Sequence, residues 1–405
     1  MNDGIEINDG IVYVKGYSRG AIYSLNDGNV YSVNSEACKM IEDFISGECA
    51  GGDFIEQLKK ANLIRHGFRA RPYSCCRLTK RLDFAWLELT ETCNLRCIHC
   101  YEGDAHKDTQ RSKLTFEQWK NVIKQLRDIG CRRIEFIGGE PTVYPQFEEL
   151  LEYAVALGHR VEIFSNLQAL NDQIIGVAKD NDITVHFSIY GSSAAIHDSV
   201  TRMKGSFEIL MHRLDRLLES NVRVVPAITI MRQNQEDIDC IIALLMAKGI
   251  PQERISIDAV RSTSCRATAG LEITDSQKNL ALRRKPNFRA EKNFFQKARC
   301  ANTCLFGKIS IHSDGLVSPC EFARDIVYGN VKDQTIEQIM NSEELTKFWY
   351  FDFTKIESCN GCEYRFACKD CRMLRDKSEI CKKNPRCLYD PQSGVWMEFE
   401  NCGAG

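Results

Sequence analysis

Between residues 83 and 262 the chain alternates short apolar, β-branched runs with longer stretches whose apolar positions recur at helical spacing. FAWLELT, RIEFIGG, VEIFSN, ITVHFSIYG, VRVVPAITIM and RISIDAV read as strands. TFEQWKNVIKQLRDIG, FEELLEYAVALG, NDQIIGVAKDND, FEILMHRLDRLLESN and EDIDCIIALLMAKG read as helices, the first with Thr115 and Gln118 at capping-box spacing and Gly130 at its end. Strands separated by helices pair in parallel through right-handed crossovers. The pattern therefore predicts an α/β fold built on a partial (β/α)6 TIM-like barrel, with its site at the C-terminal edge of the strands.

Residues 1–80 follow a different rhythm. GIVYVKG, AIYSL and VYSVN are short strands, the last two joined by Asn26-Asp27-Gly28, a hairpin signal. SEACKMIEDFISG, with Ser35 as N-cap and Gly47 as stop, and DFIEQLKKANLI read as helices. This predicts a small winged-helix-like domain. Residues 263–299, with the basic run RRKPNFRAEK, read as a linker or bridging region, and residues 300–405 as a cysteine-rich domain.

Composition changes the picture at one point. At 405 residues, 43% hydrophobic, 27% charged and with a formal net charge of -2, the chain gives no global reason to expect nucleic acid or an anionic membrane as partner. No recognition helix rich in basic residues supports a DNA-binding winged helix. No apolar run reaches the length of a membrane span; CIIALLMA fits a buried helix. Twenty cysteines are the anomaly. MNDGIEINDG lacks the basic start and apolar core of a signal peptide, so the cysteines read as metal ligands in a reducing cytoplasm rather than as a disulfide framework.

They also cluster. Cys93, Cys97 and Cys100 stand at C-x3-C-x2-C in TCNLRCIHCY, directly after the first barrel strand. Three thiolates on one loop hold three irons of a cubane cluster and leave the fourth open to a small molecule, whereas closed clusters take four ligands. Zinc loops show paired C-x2-C rungs instead. One strand–helix unit later, RIEFIGGEP ends in Gly138-Gly139-Glu140. The triplet and this motif resemble those of the radical S-adenosylmethionine (SAM) enzymes. The resemblance implies that Gly138, Gly139 and Glu140 bind the amino group of SAM, and that Ser188 and Arg202 contact its ribose and carboxylate. Ser165 and Asn166, at the next strand end, join this cofactor-binding set, and His99 packs near the adenine. Cys75, Cys76, Cys131, Cys240 and Cys265 have no partner at ligand spacing.

From Cys300 the cysteines return. Cys304, Gly315 and Cys320 form one unit; Cys359-x2-Cys362-x5-Cys368-x2-Cys371, followed by Cys387, forms another. This resembles the SPASM extension of radical SAM enzymes, although that pattern has three residues between the last two cysteines of the run. The resemblance implies two auxiliary clusters, one held by Cys300, Cys304, Cys320 and Cys371, the other by Cys359, Cys362, Cys368 and Cys387. Cys381 is a rival for Cys387, and zinc remains an alternative for any C-x2-C pair. Glu321, directly after Cys320, takes the position of a base acting on the substrate side chain in sulfatase-maturing relatives.

Residues 1–80 resemble the PqqD-type recognition domain, which captures a precursor peptide's leader as an added edge strand. Together the resemblances imply a cytoplasmic radical SAM peptide maturase with three [4Fe–4S] clusters. It would use SAM, an external electron donor such as flavodoxin or ferredoxin, and a ribosomally made precursor peptide, with no nucleic acid or membrane as partner. A 5′-deoxyadenosyl radical would abstract hydrogen and install a thioether, ether or carbon–carbon cross-link. The alternatives are sulfatase maturation, oxidising Cys or Ser to formylglycine, and a non-enzymatic iron–sulfur or zinc redox sensor.

Overall fold

The computed structural model describes residues 4–48, 52–65, 67–74, 78–100, 112–260, 270–273, 288–369, 371, 382–384 and 387–396. Cys75, Cys76, Cys265, Cys381 and the basic run up to residue 287 lie outside them. The chain forms two compact units. One comprises Met1–Thr79, Lys278–Phe306 and Lys347–Gly405; the other comprises Lys80–Gln277 and Gly307–Thr346.

In the first unit, strands β1 (Ile5–Asn8), β2 (Ile11–Lys15), β3 (Gly20–Ser24), β4 (Asn29–Val33) and β5 (Arg71–Pro72) form an antiparallel sheet in the order β4-β3-β2-β1-β5. The Asn26-Asp27-Gly28 turn joins β3 to β4, with Gly28 at φ 78° where a side chain would be strained. Helices α1 (Ser35–Ser46) and α2 (Asp53–Lys60) follow. The cap of α1 is Asn34 rather than Ser35, because its side-chain oxygen accepts from Ala37 N at 2.8 Å; Gly47 ends the helix in the left-handed conformation. Strand alternation sends Ile11, Tyr13 and Ile22 to one face, against Ile41 of α1 and Ile55 and Leu58 of α2. It sends Val12, Val14, Ala21 and Tyr23 to the other, where Phe295 and Ala298 of the helix Lys292–Ala298 and Phe366 complete a second core. The front segment therefore shares a core with later segments of its unit.

The second unit runs β6 (Phe84–Glu88), α3 (Phe116–Asp128), β7 (Arg133–Ile137), α4 (Phe147–Ala156), β8 (Arg160–Ser165), α5 (Asp172–Asp180), β9 (Thr184–Ile189), α6 (Ala194–Thr201), α7 (Ser206–Glu219), β10 (Val224–Ile230), α8 (Ile238–Ala247) and β11 (Ser256–Ala259). The six strands pair in parallel in sequence order, as the alternation predicts. The Thr115–Gln118 capping box is formed, and α3 buries Trp119, Val122, Ile123 and Leu126, an i, i+3, i+4, i+7 stripe. Helix α6 is an addition to the sequence reading; its segment GSSAAIHDSVT has too few large apolar residues to show a helical period.

Three more strands extend this sheet beyond β6. β12 (Lys308–Ile311) pairs parallel to β6, and β13 (Leu316–Ser318) and β14 (Gly329–Asn330) add antiparallel. Gly315, at φ 87°, makes the turn between β12 and β13. Residues from β6 through β12 all line one cavity of about 990 Å³, so the sheet curves around a lumen. Among the described residues no helix is long and apolar enough to cross a membrane.

Candidate active site

The cysteine loop leaves the C-terminal end of β6 and is held from two sides. Arg96 N and Ile98 N donate to Thr201 O and Val200 O at the end of α6, at 3.1 and 2.9 Å. Gly139 N and Glu140 N donate to Thr90 O and Thr92 O at 2.7 and 2.9 Å. The space a Cβ of Gly138 or Gly139 would fill is taken by the backbone of Thr90 to Thr92, so these glycines are required for the β7 loop to lie on the cysteine loop. Cys93, Cys97 and Cys100 all line the cavity. Burial, with smaller contributions from Glu140 and then Cys100, pushes the Cys93 thiol up to about 11; burial and the neighbouring Cys100 and Cys93 thiols push that of Cys97 higher still. Three thiols whose charges repel one another favour a cation that neutralises them all, which fits an iron–sulfur cluster on this loop.

Glu140 is buried, and its carboxylate accepts from Thr142 N, Thr142 Oγ1, Ser165 Oγ and Asn166 N at 3.2, 2.6, 2.7 and 2.6 Å. Burial raises its pKa while these donors oppose the rise. Ser165 thus supports Glu140. Asn166 Nδ2 reaches Cys93 Sγ at 3.5 Å and Asn94 Oδ1 at 2.8 Å, tying the end of β8 to the cysteine loop. Ser188, on β9, and Arg202, the left-handed residue ending α6, line the same cavity. His99 packs edge-on to Tyr190, centroids 4.7 Å apart.

The far part of the cavity was not foreseen. Arg133, Glu135, Glu162, His186, Asp258 and Lys308 line it beside Phe84, Trp86 and Phe164. A parallel strand covered on both faces reads as continuously apolar. RIEFI, RVEIFS and TVHFSI instead carry polar residues at alternate positions, and that was the available signal. His186 Nε2 lies 3.2 Å from Glu162 Oε2 and 3.9 Å from Glu135 Oε1, and Arg133 lies 3.8 Å from Glu162. Burial pushes Glu135 up to about 7; His186 opposes this, and Glu162 and Glu321 add to it. Glu321 lines this part as well.

Cys320 is buried in the second unit, where Ser318 Oγ donates to its carbonyl at 2.9 Å. Ser318 is bonded to His312 Nε2 at 2.7 Å, and His312 Nδ1 to the fully buried Glu88 at 2.8 Å, with Arg324 also on Glu88. In the first unit, Cys362 is half-buried, and its thiol is pushed up first by desolvation and then by the nearby Glu363, Cys359 and Cys387. Thr303 Oγ1 donates to Cys368 O at 3.5 Å, and Cys300 Sγ lies 3.3 Å from Gln296 O. Cys304 and Cys371 are half-buried in that unit.

The radical SAM superfamily matches residues 87–245, and the SPASM iron–sulfur cluster-binding domain matches residues 300–363. An AdoMet-dependent heme synthase of Oleidesulfovibrio alaskensis is 25% identical over 351 residues, 78% of this chain and 88% of that protein. Mycofactocin maturase MftC of Mycolicibacterium smegmatis is 32% identical over 166 residues, 40% of this chain and 41% of that one. The crystal structure of Streptococcus suis SuiB bound to precursor peptide SuiA superposes with a TM-score of 0.60 at 13% identity, over 95% of this chain and 99% of that one, and shares the fold. The chain thus carries a radical SAM domain followed by a SPASM domain and is an enzyme of [4Fe–4S] clusters and S-adenosylmethionine.

Proposed function

We propose that this enzyme modifies a ribosomally made precursor peptide, joining one of its side chains to another of its atoms. The observation that carries the reading is the single cavity with the cysteine triplet at one part and Glu135, His186 and Glu321 at another, large enough for side chains of a peptide. The maturases among its relatives and the fold shared with SuiB, solved with its precursor peptide SuiA, support a peptide substrate. When bound, the first cluster and SAM supply a hydrogen-abstracting radical, and two auxiliary clusters on the Cys300–Cys387 field supply an electron route.

The protein's own groups do the rest. Cys93, Cys97 and Cys100 hold the first cluster, with Asn166 Nδ2 donating to Cys93 Sγ and Glu140 fixing Ser165 and Asn166 around it. Ser188, Arg202 and His99 orient SAM. A carboxylate oxygen of Glu321 accepts the proton that the substrate side chain loses as the new bond forms. The leader adds as a strand to β4, because the opposite edge, β5, is two residues long and carries Pro72, which has no N–H for a ladder.

The test uses the reconstituted enzyme with SAM, a low-potential reductant and short peptides encoded beside its gene. A peptide whose mass falls by two hydrogen atoms, and whose fragmentation shows two residues joined rather than one residue turned into an aldehyde, supports the reading. Turnover of none of them, with consumption of an iron porphyrin instead, replaces it with the second reading, favoured by the heme synthases that match most of the chain. Conversion of a Cys or Ser to formylglycine replaces it with sulfatase-type maturation.

A further inference from the structure

We propose that Glu135, Glu162 and His186 form a binding site for one divalent first-row transition ion in the lumen of the barrel, separate from the cysteine triplet. The three residues stand on the consecutive parallel strands β7, β8 and β9, and Glu135 is directly opposite Glu162 in the register. One ligand atom from each lies within 4.8 Å of the other two. Bonds of about 2.0–2.1 Å to a tetrahedral ion place ligand atoms about 3.4 Å apart. The imidazole nitrogen is 3.2 Å from one carboxylate and 3.9 Å from the other, so an ion requires only a small inward movement of side chains.

The charges point the same way. Glu162 has both His186 and Arg133 within 4 Å, whereas Glu135, among the described cations, has only the imidazole, at 3.9 Å and beyond a hydrogen bond. Glu321 adds a third acid close to Glu135. Arg133 is shared between Glu162 at 3.8 Å and the Phe84 ring at 4.6 Å, and Lys308 lies 5.5 Å over Trp86. A dication balances the pair of carboxylates with no rearrangement of strands. Trp86 stands opposite Glu135 in the register, beside the ligand set.

Imidazole with carboxylates and no thiolate suits Zn²⁺, Fe²⁺ or Mn²⁺ rather than a cluster. The side chains remain 9–23% exposed to the cavity, so open coordination positions face the lumen. There the ion would take a carbonyl or carboxylate oxygen of the substrate; only this last role rests on the peptide reading.

The test is titration of the reconstituted holoenzyme with Mn²⁺, followed by electron paramagnetic resonance. The wild type should remove one Mn²⁺ per chain from the free-ion signal, and the bound ion should show nitrogen coupling from an imidazole. Glu135→Gln/Glu162→Gln should weaken uptake by more than about tenfold, since even outer-layer changes cost 10–100-fold. His186→Gln should abolish the nitrogen coupling, and the exposed Glu117→Gln should change neither. No uptake by the wild type, uptake without nitrogen coupling, or equal uptake by the variants would overturn the proposal. The wild-type spectrum decides alone if a variant loses its clusters, and it does so whether or not any peptide is turned over.

Discussion

Replacing Gly139 by alanine tests how the cysteine loop is positioned. Its backbone is not in the left-handed region, so the new Cβ is the whole perturbation. That Cβ would sit 2.5 Å from Glu91 O and closer still to Thr92 O, and both are backbone atoms of the segment entering the triplet. Contact between carbon and oxygen requires several tenths of an ångström more, and neither strand end can swing aside like a side chain. Overpacking of this kind costs about 1–3 kcal/mol. For a unit of this size that is roughly 2–10 °C in melting temperature, unless the loop moves instead and takes Cys93 with it. Gly176, inside α5 with nothing near its absent Cβ, is the internal control; alanine there should be neutral or stabilise by about 0.5–1 kcal/mol. The assay is melting of the apo chain together with iron bound per chain after anaerobic reconstitution. Gly139→Ala should fall in one or both while Gly176→Ala falls in neither. A Gly139→Ala protein that melts and loads iron like the wild type would refute the reasoning.

Other outcomes follow from the same structure. Glu88→Ala leaves the buried His312 and the half-buried Arg324 without their shared carboxylate and should cost about 3–5 kcal/mol in denaturant unfolding, more than Glu117→Ala on the surface of α3. Glu135, raised to about 7, binds a proton more readily folded than unfolded, so its contribution is favourable at low pH and is lost as pH rises from about 4.5 through 7. Glu135→Gln in chelator-treated protein should therefore gain stability relative to wild type at pH 8 compared with pH 5, by up to about 3 kcal/mol. Asn166→Ala should change the spectrum of the first cluster, through loss of its contact with Cys93, without altering iron in the auxiliary field. Leader peptide should protect the amides of Val30 to Val33 in β4 from hydrogen exchange, whereas removing residues 1–79 outright would expose Phe295 and Phe366 and is expected to aggregate.

Much of this was legible before the structure. Helical and strand periods separate cleanly in the barrel because each crossover helix buries one stripe, as α3 does through Trp119 and Leu126. The capping box of α3 and the hairpin turn at Gly28 are local chemistry, readable from a few residues. β1 and β5 were missed because IEIN and Arg71–Pro72 are too short for a period and gain their pairing from residues distant in sequence. β12 was missed for the same reason: KISI pairs with FAWL across more than two hundred residues. In the site, the cysteines and the Gly-Gly-Glu loop carry spacing that points to chemistry. Glu135, Glu162 and His186 do not, since each is one residue in its own strand and only the parallel register brings them together. The packing of Gly138 and Gly139 against Thr90 to Thr92 was not legible either, since that contact is made between two loops distant in sequence.

The measurement closest to the central claim is mass spectrometry of a neighbouring-gene peptide after reaction with the reconstituted enzyme, SAM and reductant, compared with the Cys93→Ala/Cys97→Ala/Cys100→Ala chain. The account predicts a product lighter by two hydrogen atoms in which fragmentation shows two residues joined, formed with cleavage of SAM, and none from the triple variant. SAM cleavage with every such peptide unchanged, or product of equal yield from the triple variant, would contradict it.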